Sequence, residues 1–165
     1  MYLTKIVVLL VFFQIIVLSA FGQSVSQKTR SGREISVRVY FTNSKIPAYQ
    51  DDCSAGGFVI RKIPETRQVA NAALKLLFAG PTAEEKGQGV QSLAPLGDYY
   101  IGVSIKKGVA IVNFRSGAEK FLYVSGGLCE QARTLTPIAE TLKQFSTIKS
   151  VEYAIEGKII EDWDV

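Results

Sequence analysis

From Ile35 to Thr42 the chain alternates without a break. Ile35, Val37, Val39 and Phe41 are apolar, while Ser36, Arg38, Tyr40 and Thr42 fall between them. Successive side chains of a strand point to opposite faces, so this stretch is a strand with one face in a core and one in solvent. That pattern excludes an all-helical bundle. It also excludes a parallel sheet buried on both faces, whose strands read as continuous apolar runs. What it demands is a sheet covered from one side.

The cover is written further along. Val69, Ala72, Ala73, Leu76 and Leu77 recur at helical spacing, with Arg67, Gln68, Asn71 and Lys75 between them. Thr66 stands where a cap belongs and Gly80-Pro81 stops the ladder, which predicts a helix over Thr66–Ala79. Leu128, Ala132, Leu135, Ile138, Leu142 and Phe145 keep the same spacing straight through Pro137. One kinked helix from Leu128 to Phe145 fits that phase. Thr82-x-x-Glu85 has the spacing of a capping box for a further short turn.

The remaining segments are strands and their turns. Phe58–Ile63 is a second strand, and Tyr99, Ile101, Val103 and Ile105 alternate along a third. Lys107-Gly108 turns the chain into Val109–Phe114. Ser150–Ile155 and the short Lys158–Ile160 follow, joined by Glu156-Gly157. The order is β-β-α-β-β-α-β-(β). It predicts an α/β (α+β) two-layer sandwich, a mixed β-sheet with two helices on one face, over residues 34–165.

Ahead of this domain, Lys5 precedes an apolar run from Ile6 to Leu18, and Ala20 and Gly22 form an A-x-G arrangement. This is the order of a secretory signal peptide over residues 1–22, followed by a flexible polar leader over 23–33. The alternative is an uncleaved anchor from Ile6 to Phe21. The run is shorter than the ~20 residues a spanning helix needs, which favours the signal peptide and an extracytoplasmic chain. Export gives Cys53 and Cys129 a meaning, because an oxidising compartment favours a bridge over two free thiols. A zinc site is a poor alternative in a chain with two cysteines and no histidine.

The absence of histidine also excludes Ser-His-Asp and Cys-His nucleophilic sites and HExxH metal sites. Glu65, Glu84, Glu85 and Asp98 are the loop carboxylates that a wall hydrolase or transferase would pair. Beside helix starts and turns, such charges more often cap or face solvent. Asp51-Asp52 falls short of a calcium ligand set, and Ser125-Gly126-Gly127 lacks the lysine of a phosphate loop. The formal charge of +4 is too mild for nucleic acid. The residues therefore point to no catalytic, metal or cofactor site. They offer instead a candidate docking face of outward strand positions: Arg38, Tyr40, Tyr100 and Lys106, of residue types enriched in interface hot spots.

Several strings occur together. Arg61-Lys62-Ile63-Pro64 leads into Val69–Leu77 and Ala79-Gly80-Pro81-Thr82; Lys107–Ala110 and Asn113-Phe114 follow. Gly126-Gly127-Leu128-Cys129, Thr141-Leu142-Lys143-Gln144-Phe145 and Glu156-Gly157-Lys158 complete the set. Over Ile35–Lys158 the chain resembles the GerMN domain of GerM-type sporulation and germination proteins. It differs in having Asn113 where that family commonly has an acidic residue. The resemblance implies an extracytoplasmic, non-catalytic interaction or assembly module without a cofactor. Its expected partners are envelope proteins or an anionic wall polymer, with membrane contact only through an unprocessed N-terminal segment. It also implies the subgroup in which a cysteine after the first strand accompanies one in a Gly-Gly-x-Cys stretch.

Overall fold

A computed structural model describes residues 32–123, 127–161 and 163. The expected signal peptide, the expected leader as far as Ser31, and Ser125-Gly126 lie outside the described residues. From Gly32 onward the chain forms a compact unit of its own.

Strand β1 (Glu34–Thr42) pairs antiparallel with β2 (Gly56–Pro64), in a register that sets Arg38 opposite Ile60 and Tyr40 opposite Phe58. Helix α1 (Val69–Ala79) follows, then the short helical turns α2 (Ala83–Gly87) and α3 (Ala94–Gly97). Strands β3 (Tyr100–Lys106) and β4 (Val109–Phe114) form a hairpin. A turn of helix, α4 (Glu119–Leu122), leads to α5 (Leu128–Lys143), which carries Pro137 inside it. Strand β5 (Ser150–Ile155) lies parallel to β4, and the short β6 (Lys158–Ile159) turns back on β5.

The expected element order and the α+β class are those of the structure, with one correction. The strands form two sheets, a β1–β2 ribbon and a four-stranded sheet β3-β4-β5-β6. The reason lies at the far edge of β1, where α5 takes the place of a neighbouring strand. The Arg38 amide donates to Gln144 Oε1 at 2.9 Å, and Gln144 Nε2 donates back to the Arg38 carbonyl at 2.5 Å. One turn earlier, Thr141 Oγ1 accepts the Tyr40 amide at 2.9 Å. Edge groups satisfied in this way have no need of another strand.

Ala110, Val112 and Phe114, all from one face of β4, are fully buried in the same core as Leu74, Leu77, Ile138 and Leu142. Both long helices therefore cover one face of the larger sheet. Val39 and Phe41 of β1 join that core, while Val37 packs with Ile63 and Ala73 in a smaller cluster. Helix α1 serves both clusters, which explains a second difference from the sequence reading. Its buried stripe is Ala70, Ala73, Leu74, Leu77 and Phe78, and Leu76 is only half-buried, against both clusters. A helix flanked by apolar neighbours on two sides shows more than one plausible stripe in its sequence.

The punctuation is as the sequence predicts. Thr82 and Glu85 close a full capping box. Lys107-Gly108 and Glu156-Gly157 both have positive φ at the two turn positions, the geometry of tight hairpins. Asn113 Oδ1 accepts the Gly157 amide at 2.9 Å, so this side chain braces the last hairpin as an acceptor. Thr66 takes up the Gln68 amide, but the α1 N-cap is Gln68.

Candidate docking surface

Arg38 and Tyr40 lie on the outer face of the ribbon, opposite the buried Val37, Val39 and Phe41. Strand β2 supplies their neighbours. The Arg38 guanidinium lies 4.6 Å from the centre of the Phe58 ring, and Tyr40 meets the same ring edge-on at 5.2 Å. Phe58 is 42% exposed and Ile60 is 68% exposed. The outer face is thus an apolar and aromatic patch with Arg38 and Lys62 beside it, the composition of an interface centre rather than of a solvated sheet.

This patch is held in shape from the loop between the strands. The Tyr40 hydroxyl donates to the Ser54 carbonyl at 3.0 Å. Burial, then the nearby Asp52 and Glu140 carboxylates, raise the phenol above its ordinary value, so it remains a donor. Ser54 is fixed in turn by Asp52, whose carboxylate accepts the Ser54 amide at 2.9 Å and its hydroxyl at 2.5 Å. These bonds hold the Asp52 carboxyl below its usual value. Next to them Cys53 is bridged to Cys129 in the first turn of α5, with the Cα atoms 5.4 Å apart. The bridge therefore anchors the loop that orients Tyr40.

Beneath the ribbon, Arg61 and Glu85 form a two-pronged pair at 2.9 and 2.6 Å. Hydrogen bonding from Arg61 is the main reason the Glu85 carboxyl lies below its usual value. The same carboxylate closes the α2 capping box, so β2 and α2 are locked together. Glu85 is committed to structure, and Glu65, Glu84 and Asp98 are exposed. Among the described residues no group of three or more acidic or cysteine side chains is arranged to hold a metal ion.

The sequence placed Tyr100 and Lys106 on the same face as Arg38 and Tyr40; the structure does not. Both belong to β3, in the other sheet. Lys106 is exposed on that sheet's outer side. Tyr100 is turned inward, packed at 4.9 Å on Phe78 and donating to Asn71 Oδ1 at 2.7 Å. A register shift between Tyr100 and Gly102 is the cause, because one extra residue in a strand reverses the facing of everything before it. The partners that sequence reasoning missed, Phe58 and Ile60, sit in a run whose alternation is weak. Their exposure follows only from which side of β2 the helices occupy. A groove of about 530 Å³ between the start of α1 and β3 has a mixed lining, Arg67, Gln68 and Asn71 on one side and Ile101, Val103 and Ile105 on the other.

What these elements define is an α+β module whose charged side chains brace a strand ribbon. Residues 38–161 match the Germane family, described as sporulation and spore germination, and the chain belongs to that family. It is a GerMN-type domain. Tandem GerMN domains of the sporulation protein GerM from Bacillus subtilis share the fold at a TM-score of 0.56 and 19% identity. That match covers 81% of this chain and 43% of the tandem-domain chain, so the likeness spans less than half of its length. The first GerMN domain of the same protein gives 0.53 and 23% identity, covering 79% of this chain and 90% of that one. Among curated proteins no match is found.

Proposed function

We propose that this domain is a non-catalytic interaction module of the bacterial cell envelope, docking to protein or wall partners through the outer face of its ribbon. The observation that carries the reading is the exposed patch of Phe58 and Ile60, with Arg38 stacked on Phe58 and Tyr40 pinned by Ser54. Aromatic side chains, and an arginine already stacked on one as Arg38 is on Phe58, lose little further freedom on binding, which suits them to anchor an interface. A bridge between Cys53 and Cys129 suits an extracytoplasmic site of action.

Capture from envelope extract, with the unit Gly32–Val165 immobilised, tests the proposal. Arg38→Glu alters the face from β1, away from the open edge of β2, and Ile60→Asp alters its apolar centre. The expected result is a defined envelope component retained by the unsubstituted domain and lost by both variants. Retention that persists in both variants, or no specific retention at all, overturns the reading. Elution by moderate salt marks a phosphate-rich wall polymer, because screening weakens exposed charge pairs; a protein held by the apolar patch stays bound.

A further inference from the structure

The ribbon has a second property that its outer face does not use. Arg38 and Tyr40 direct their backbone groups toward α5, and the Thr42 carbonyl likewise accepts the Gln91 amide on that side. In an antiparallel pair, a residue that points away from its partner strand faces one that also points away. Gly56, Phe58, Ile60 and Lys62 are the partners of Thr42, Tyr40, Arg38 and Ser36. Their N–H and C=O groups therefore line the far edge of β2, and among the described residues no strand pairs with that edge. It is long, at 9 residues, and has Phe58 and Ile60 exposed beside it. Such an edge is a template for another strand.

We propose that the occupant is a second copy of this chain, with two β2 strands paired antiparallel about a two-fold axis at Val59. The sequence of β2 is self-complementary in that register. Phe58 faces the partner's Ile60, Ile60 faces the partner's Phe58, and Gly56 faces the partner's Lys62. No like charges meet. Lys62 lies toward one end of the ribbon, and Asp52, beside Tyr40, lies toward the other. Reversing the second strand brings the partner's Lys62 to the acidic end. A register centred on Ile60 instead sets the partner's Pro64, which has no N–H, at a bonding position opposite Gly56. The two ribbons become one four-stranded sheet, with both outer faces on the same side. This goes beyond the docking reading and builds on the same ribbon: pairing doubles the face that a partner meets.

Sedimentation velocity on the unit Gly32–Val165 over a range of concentrations tests the pairing. A reversible monomer–dimer equilibrium is expected. Phe58→Lys and Ile60→Glu each break two symmetry-related pairs and weaken the dimer about tenfold or more. The double variant restores it, since each new lysine then faces the partner's new glutamate. Both positions are exposed, so these variants keep the fold. Val59→Cys provides an independent reading: across the axis its Cα atoms fall about 4.5 Å apart, within bridging range, and mild oxidation yields a covalent dimer. A monomer at every concentration up to about 1 mM overturns the proposal. So does a dimer indifferent to the single substitutions, or one that the double variant fails to restore. A strictly monomeric domain that still captures its envelope component refutes self-pairing alone. A dimer that captures nothing refutes the docking reading alone.

Discussion

Two hydrogen bonds of equal length close the β1 edge, and they should differ in worth. The amide of Tyr40 donates to Thr141 Oγ1 and that of Arg38 to Gln144 Oε1, both at 2.9 Å. Thr141 is fully buried, whereas the Gln144 bond lies at the surface. Replacing Thr141 by Val keeps the branched shape and opens no cavity, but leaves the part-buried Tyr40 amide without its acceptor beside a fully buried side chain. The cost is that of an unsatisfied buried donor, about 1–3 kcal/mol. Gln144→Ala breaks both bonds to Arg38, yet water can take them over, so the cost is about 0.5–1 kcal/mol. Urea titration followed by circular dichroism measures both. Hydrogen exchange should show faster opening at the Tyr40 amide in Thr141→Val. Thr141→Ser, which keeps the oxygen, should recover most of that protection. A loss below about 0.5 kcal/mol for Thr141→Val, or a larger loss for Gln144→Ala, would show that α5 does not replace a strand at this edge.

The bridge of Cys53 to Cys129 closes a segment of 76 residues, and the chain-entropy relation sets an upper bound of about 4.5 kcal/mol on its contribution. Cys53→Ser/Cys129→Ser should lower the urea midpoint while far-ultraviolet circular dichroism stays native, because the main core does not involve the loop. Leu74→Ala should cost about 2–5 kcal/mol and Leu76→Ala clearly less, since Leu74 is fully buried and Leu76 is not; equal losses in chemical denaturation would misplace α1. Glu85 has a folded pKa below its ordinary 4.5. Its contribution is therefore present above that value and fades as pH falls through the lower, folded value. Thermal midpoints measured from neutral to acid pH should show Glu85→Gln lower than the parent near neutrality, the difference shrinking in acid.

The types of element, their order and their turns were legible in the sequence because each rests on local chemistry. Alternation made β1 a half-buried strand, the Thr82/Glu85 spacing made a cap, and glycine after Lys107 and Glu156 made two hairpin turns. The joining of Cys53 to Cys129 was legible too, from the redox compartment that the N-terminal segment led one to expect. Tertiary structure decided the rest. Whether β1 takes a strand or a helix at its edge depends on Gln144, about a hundred positions away, whose amide offers both a donor and an acceptor as a backbone would. Which way Tyr100 points depends on a single extra residue in the β3 register, invisible to a period-two reading. The face that α1 buries depends on there being two clusters to bury it in. The proposed docking patch follows the same rule: Phe58 and Ile60 are exposed because the helices cover the other side of β2, and only packing assigns sides to a strand.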